Sequence, residues 1–577
     1  MLQSRDDHTP LVPARIGARH LAALARLARG RSRLERARGR ERDRGADPRR
    51  GRRPARDQGL GRRGRRRGLR AHQRHALARE HRARRRRRGE DRGAGVSASR
   101  GARERHCASR ARERGVPRQV RPHRSDSRLV RKRGRQVPAR ALAAAREPGE
   151  VSEPAPIHEA ARDLPLLARA DVLVVGGGTS GVAAAVAAAR SGARVVLAEA
   201  SSSLGGLATN GLIALLLTLD DGRGRQVIAG LCQELVERMS AAGGAFAPPR
   251  EHWGRSDSEL VQRYARLGLV WGGARAEHVV RYSVAYDPEI MREALNALAS
   301  EAGVEVLFHV WGARALLDGP RIAAVAFESR AGRQAIAADV VIDATGDGHV
   351  LASAGCAFEL ERVHPWLWFR IGGVSDVDAA IEAGAPIFRT TNPGQALLPW
   401  GSMARIDRRI DATDPRELSY AELECRRLVM EEFRGLRSRF AELRDAHLCE
   451  IARLIGITES RRLVGRRVLR REDRQKPQPD AIAITGHWTK YGAVYAIPYG
   501  CLVPNEIENL LATGRCISVD HQTHNATKEI PPALATGEAS GVAAALALAH
   551  RGRVFAVEPD EIRTRLRERG AMVDYAF

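Results

Sequence analysis

The chain has 577 residues, enough for two to four domains, and a formal net charge of +29. A charge of that size suggests nucleic-acid binding, but it is confined to one quarter of the sequence. Residues 1–150 hold about 48 Lys and Arg against 15 Asp and Glu, whereas the remainder is mildly acidic, at about −4.

That first quarter contains no Phe, Tyr or Trp, and its only isoleucine is Ile16. Apolar burial worth roughly 25 cal/mol per Å² cannot there offset an ordering cost of about 1–2 kcal/mol per residue, so residues 1–150 are expected to be disordered. A basic nucleic-acid-binding tail, exemplified by Arg84–Arg88, is one reading. Against it stand the near absence of Lys, of interleaved aromatics and of any repeat. Arg, Ala, Gly and Pro have GC-rich codons, so an out-of-frame translation or a misassigned upstream start is the expectation, with Val151 a candidate true start. The seven cysteines form no CxxC pair and no ligand-spaced cluster, which argues against a zinc site or a cysteine-ligated iron–sulfur cluster. Scattered single cysteines suit a reducing cytoplasm, the expected location. There is no run of 18 uncharged apolar residues, and the N-terminus lacks the apolar segment and cleavage site of a secretory signal.

After a lead-in containing Pro154, Pro156 and Pro165, residues 165–206 read as the first part of a nucleotide-binding domain. Asp171–Val175 is a short apolar run suited to a buried parallel strand. Gly176–Gly178 turn the chain, Gly181–Ser191 is an Ala-rich helix closed by Gly192, and Arg194–Ala198 returns as a second strand. Residues 207–285 are irregular, with helical patterns such as Leu231–Ala242, and read as a cap insertion facing substrate. Core resumes over 286–360. A helix spans Asp287–Glu301 with Pro288 well placed at its first position. Strands follow at Val304–Val310 and Arg321–Ser329 around a turn at Asp318-Gly319-Pro320, and then at Ala338–Ala344. Residues 361–500 form a second cap region with a long charged helix near Ser419–Arg444. The chain returns to the core over 501–555, with a strand at Leu510–Gly514 and a helix from about Pro532 to His550; residues 556–577 are a tail. The expected class is α/β: a Rossmann-like domain with an inserted α+β cap.

Gly176, Gly178 and Gly181 spell G-x-G-x-x-G directly between a strand and a helix. The first permits the tight turn, the second lets backbone approach a pyrophosphate, and the third packs helix on strand. Thr179 and Ser180 open the helix, whose N-terminus offers unpaired N–H groups to a diphosphate. Glu199 falls at the end of the second strand, where a carboxylate accepts ribose hydroxyls and disfavours a 2′-phosphate.

The continuation separates FAD from NAD. Gly205-Gly206, within Leu204–Gly211, resembles the second glycine motif of glutathione-reductase-type flavoproteins, where backbone passes close to the FAD diphosphate. Ala344-Thr345-Gly346-Asp347 resembles the same group's second fingerprint. The stretches Gly456–Arg462, Tyr495–Pro504, Asn509–Ser518 and Ala535–Gly541 are similar to FAD-dependent oxidoreductases that group with heterodisulfide-reductase-A-like flavoproteins. The resemblance covers about residues 165–550. Lys528 stands where that family often has Arg, and Glu538 where it often has Gln; its cysteine-rich segments are absent, which argues against an iron–sulfur relay. The resemblance implies FAD as cofactor, with the Gly514–Gly541 segment, including Arg515, Thr536 and Gly537, lining the isoalloxazine.

A reduced flavin carries negative charge near N1/O2, which a helix N-terminus or a cation stabilises. Pro531-Pro532 precede such a helix, and Lys528 is either the cation or a solvated loop lysine. His521 and His524 suit proton exchange beside a hydride transfer, or form a structural pair bonded to backbone. Their HxxH spacing permits a metal, but no third ligand group is evident, so none is expected. Arg461 and Arg462 suit bidentate binding of a substrate carboxylate, or an internal salt bridge, for instance with Glu459. His487, Tyr491 and Tyr495 are further pocket candidates, and His349 belongs with the turn at Asp347. The leading expectation is an FAD-dependent oxidoreductase of a small organic substrate with an unidentified electron acceptor, and with no membrane or nucleic-acid partner. The alternatives are an NAD-dependent dehydrogenase without flavin, and a nucleic-acid-binding protein acting through the basic N-terminus.

Overall fold

The apolar run before Gly176 lies at the centre of a seven-stranded sheet. In the computed structural model the described residues are 157–271, 278–399, 406 and 408–577. The basic segment 1–150 and Val151, with the expectations attached to them, lie outside these.

Strand β1 (Leu166–Val175) leads into helix α1 (Thr179–Arg190) and β2 (Val195–Glu199). The cap contributes α2 (Leu231–Ala241), and the core resumes with α3 (Pro288–Glu301), β3 (Glu305–Phe308), β4 (Trp311–Asp318), β5 (Arg321–Ser329) and β6 (Gly332–Asp343). The C-terminal return supplies β7 (Leu510–Ala512). The order is β3-β2-β1-β6-β5-β4, with β7 pairing on the far half of β6. Strands β3, β2, β1, β6 and β7 run parallel, whereas β4 and β5 extend the sheet as antiparallel neighbours.

Helix α1 is almost wholly buried, which its alanines allow, and lies against α7 (Ile530–Ala547), numbered after α4 (His349–Ser353), α5 (Pro415–Arg439) and α6 (His521–Thr527). A Cβ added at Gly537 would stand 2.2 Å from the Ser180 carbonyl oxygen, and one at Gly541 2.1 Å from that of Ala184. The two backbones therefore touch directly. Ile530–His550 is long and apolar enough to cross a membrane, but most of it is buried in this core.

Several elements differ from expectation for local reasons. Strand β4 has no clean alternation in Trp-Gly-Ala-Arg-Ala-Leu-Leu-Asp and lies at a sheet edge with Trp311 and Leu317 exposed, so its period is weak. Helix α5 starts at Pro415, not Ser419, because Asp414 caps it by accepting the Arg416 N–H at 2.8 Å. Helix α7 starts at Ile530, taking both prolines into its first turn, where a missing N–H costs nothing. Residues 556–577 are more than a tail: α8 (Pro559–Glu568) buries Ile562 and Leu566. Region 207–285 carries strands as well as helices, since Leu215–Leu216, Val284–Tyr286 and Ala245–Phe246 form a small sheet. The rest of the cap is a four-stranded antiparallel sheet (Phe388–Arg389, Ala396–Leu398, Phe369–Gly372, His447–Ile451) and a hairpin of Ala481–Gly486 with Val494–Pro498.

Glu538 couples cap to core. It is 2% exposed on α7, and its Oε2 accepts the Leu231 N–H at 2.9 Å, at the start of α2. Burial pushes its carboxyl up to about 7, against the opposing pull of that N–H and of Arg569 and Arg190. The folded state thus holds this proton more tightly than the unfolded chain, and stability falls as pH rises from about 4.5 to 7, by on the order of 3 kcal/mol. Glu538→Gln is expected to raise the Tm at pH 8 and to leave it unchanged at pH 4, as read by thermal melts. Parallel pH profiles for the two proteins would refute this coupling.

Candidate active site

The glycine turn after β1 is closed from behind. Gly176 has φ +105°, and a Cβ there would lie 2.5 Å from the Ala344 carbonyl oxygen. At Gly181 a Cβ would lie 1.8 Å from the Gly176 oxygen, whereas at Gly178 it would meet nothing within 4 Å. Open space thus adjoins Gly178 at the start of α1, where no side chain caps the helix. Gly205, at φ +104°, donates its N–H to the Gly177 oxygen at 2.8 Å, and Gly206 lies against Gly178. From the other end of the chain, Gly514 packs on the Ser180 hydroxyl and donates its N–H to Thr536 Oγ at 3.3 Å, while Gly537 packs on the Ser180 backbone. The three glycine segments therefore meet around the first turn of α1, beside Thr179. Glu199 Oε2 accepts the Gly177 N–H at 2.6 Å and Oε1 the Ser201 N–H at 2.7 Å, which orients the carboxylate and leaves each oxygen a lone pair. Uncapped helix N–H groups, room beside Gly178 and an oriented acid fit the diphosphate and ribose of a dinucleotide.

The next strand end is held by Asp343, a residue that motif reading passed over. Fully buried, it accepts the Thr345 hydroxyl at 2.7 Å and the Val350 and Leu351 N–H groups at 2.9 Å, fixing the turn Thr345–Gly348. The visible signal was an acid placed directly before Ala344-Thr-Gly. Asp347 pairs with Arg515 at 2.7 Å and accepts the Ser460 hydroxyl at 2.6 Å. Burial pushes its carboxyl up, but Arg515 and Ser460 outweigh this and hold it below the ordinary range. Arg515 lies over Gly346, and the His349 N–H donates to Thr345 Oγ at 3.1 Å.

Glu459 is the hub of the remaining candidates. It is 6% exposed and lies 2.6 Å from Arg462 Nε, 3.1 Å from His521 Nδ1 and 3.5 Å from His524 Nδ1. Burial opposes its charge, but the two histidines hold the carboxyl far below the usual range. Arg462 thus takes the internal salt bridge. Arg461 instead donates to the Asp347 carbonyl at 3.2 Å and lies over the Phe358 ring. His524 is buried, with Nε2 2.8 Å from the Arg515 carbonyl oxygen, so that nitrogen carries a proton; burial drives its pKa down. His521 is exposed, and its bond to Glu459 drives its pKa up. Glu361, Glu459 and His521 bring ligand atoms within 4.8 Å of one another, but His524 is not part of that group, so the HxxH spacing is not completed, and Arg462 already occupies Glu459. Lys528 caps α6 half-buried beside Glu529, whose carboxyl is pushed up to about 7 by burial, against the pull of Lys528.

The sheet, the cradle and the acid define a dinucleotide-binding α/β enzyme. The model of the FAD dependent oxidoreductase family matches residues 171–566, and the chain belongs to that family. It is an FAD-dependent oxidoreductase, with FAD rather than NAD alone as its cofactor. A search of curated proteins returns no match. Solved structures similar to it include a geranylgeranyl bacteriochlorophyll reductase-like protein from Thermoplasma acidophilum, 15% identical, covering 70% of this chain and 83% of that one at a TM-score of 0.40. The p-nitrophenol 4-monooxygenase of Pseudomonas putida is 11% identical, covering 71% and 91% at 0.36. Anhydrotetracycline hydroxylase from Streptomyces rimosus is 15% identical, covering 70% and 66% at 0.36.

Glu199→Ala is expected to weaken FAD retention by roughly 10- to 100-fold, the loss of a hydrogen bond to a charged acceptor. Titration of apoprotein with FAD, followed by flavin fluorescence, measures it.

Proposed function

We propose that this enzyme moves a hydride between a small organic substrate and FAD, with substrate held under the cap. When bound, the flavin supplies a two-electron centre at N5. The observation that carries the reading is the junction of Gly514 and Gly537 with Ser180, which packs α7, two turns past its start, against the glycine cradle of α1. No side chain caps α7, and its first turn holds Pro531 and Pro532, so the helix offers an uncapped positive end, with Lys528 just before it, that would stabilise negative charge on a reduced flavin bound there. The cradle and Glu199 would hold the diphosphate and ribose. The Asp347–Arg515 pair ties together the turns that follow β6 and β7 and would keep both in place against the bound cofactor.

For proton transfer we assign His521 as the exchanging group, because the ring is exposed and its Nε2 has no hydrogen-bond partner among the described residues, while Nδ1 is anchored on Glu459. His524, bonded to the Arg515 carbonyl, is a positioning residue that ties Glu459 to the cofactor-side backbone. Arg461 orients the Asp347 turn from the cap side. The Glu459–Arg462 motif and the Gly514–Gly541 return are the reasons for grouping the chain with the heterodisulfide-reductase-A-like branch of glutathione-reductase-type flavoproteins.

The purified chain is expected to be yellow and to be bleached anaerobically by a substrate from a metabolite panel. His521→Ala is expected to slow that flavin reduction by roughly 10²- to 10⁴-fold, the usual worth of a general acid–base. If His521→Ala and His524→Ala both reduce flavin at the wild-type rate, the proton assignment fails. Glu459→Gln is expected to cost about 1–3 kcal/mol in a denaturant titration, since it leaves buried Arg462 with only the exposed Glu359 carboxylate, 3.0 Å from its Nη2.

A further inference from the structure

We propose that the cap contains an anion-recognition site for the substrate, in which Arg281, His487 and Trp488 take up the acid group of a small organic acid. The proposal rests on the oxidoreductase reading above and names its substrate class.

Arg281 is 2% exposed, and its Nε lies 2.7 Å from Asp220 Oδ1. Asp220 is itself fully buried and satisfied, accepting the Thr218 hydroxyl at 2.9 Å and the Tyr282 and Gly222 N–H groups at 2.9 and 3.0 Å. That carboxylate fixes the guanidinium, which lies 4.5 Å from the centre of the Tyr491 ring. Burial opposes the charge on Arg281, but Asp220 and Tyr491 outweigh it and keep the group cationic. Among the described residues Nη1 reaches the Trp488 carbonyl oxygen at 3.4 Å and Nη2 has no acceptor in hydrogen-bond range, the Tyr491 side chain being the guanidinium's other polar neighbour.

His487 follows the strand Ala481–Gly486 and is 1% exposed. Its Nδ1 accepts the Thr489 and Lys490 N–H groups at 3.1 and 3.2 Å, so the neutral ring carries its proton on Nε2. No acceptor meets that Nε2 among the described residues. Burial first, and then Lys490, Arg281 and Lys528, hold the imidazole neutral. The buried indole Nε1 of Trp488 has no acceptor either.

Two buried donors in one neighbourhood, Arg281 Nη2 and Trp488 Nε1, therefore have nothing to donate to, where folded proteins pair nearly all such groups, and His487 Nε2 adds a third donor with no acceptor among the described residues. Cations outnumber carboxylates here: Arg281, Lys490, Lys528 and Arg474 all act on His487, with Asp220 the paired carboxylate behind Arg281. An anionic oxygen group satisfies donors and field together. Trp271, edge-on to Trp488 with ring centres 5.4 Å apart, adds an aromatic wall suited to an apolar body. The region is also joined to the cofactor side. Thr485 donates its hydroxyl to the Ala526 carbonyl at 3.1 Å, two residues before Lys528, and Gly486 packs directly on the Asp220 backbone.

The test uses the full FAD-loaded chain and calorimetric titration with phenylacetate and with succinate, phenylacetamide being the uncharged counterpart. Saturable binding of at least one acid is expected, with the amide bound roughly tenfold or more weakly, the equivalent of one lost charge-assisted bond. Arg281→Gln alone strands the Asp220 carboxylate, so Asp220→Asn with Arg281→Gln is made in the same chain, and His487→Phe separately. Each is expected to lose roughly tenfold or more in acid affinity at unchanged flavin content. Acid binding equal to wild type in both variants overturns the proposal. So does an amide bound as tightly as its acid, or the absence of saturable binding of either acid. A colourless protein would sink the flavin reading itself, whereas a yellow protein indifferent to acids sinks only this one.

Discussion

The arrangement depends on one contact, the backbone-to-backbone packing of α1 on α7. Gly537 and Gly541 leave no room for a side chain, since a Cβ at either would fall 2.1 to 2.2 Å from a carbonyl oxygen of α1. Because the contact is so close, residues from both ends of the folded region reach the same turn of α1. The diphosphate cradle, the entry of α7 and the Gly514 loop are then fixed relative to one another by packing rather than by long side chains.

Buried carboxylates do the secondary work of joining loops. Asp343 ties the turn after β6, Asp347 ties that turn to Arg515, and Glu459 ties the cap to α6 through Arg462, His521 and His524. Each is costly to bury, and each is compensated by several donors at once, so these acids act as joints rather than as isolated ion pairs. Surface pairs such as Arg427 with Glu424 on α5 contribute far less.

The sequence was most legible where a local period and a turn residue agree. The β1–α1–β2 unit, the helix after Asp287 with Pro288 at its first position, and the strand Arg321–Ser329 all lie close to where pattern placed them. The glycines of the cradle were legible because their chemistry is that of short spacing. Strand β4 was not, because an edge strand rich in Ala and Gly carries little alternation. Glu459 was visible as a neighbour of Arg462, but its meeting with His521 spans 62 residues of sequence and depends on tertiary packing. The Asp220–Arg281 pair was invisible for the same reason, since nothing local marks either residue.

The threading of the sheet also bears on how the protein is made. Helix α1 is buried on nearly every side, and its principal packing partner is α7, roughly 350 residues further along the chain. At about 5–20 residues per second, that cover leaves the ribosome tens of seconds after α1 does. During that interval the nucleotide-binding half presents a bare alanine-rich helix and an unfinished cradle. The cradle is therefore completed late in synthesis, only once α7 has been made.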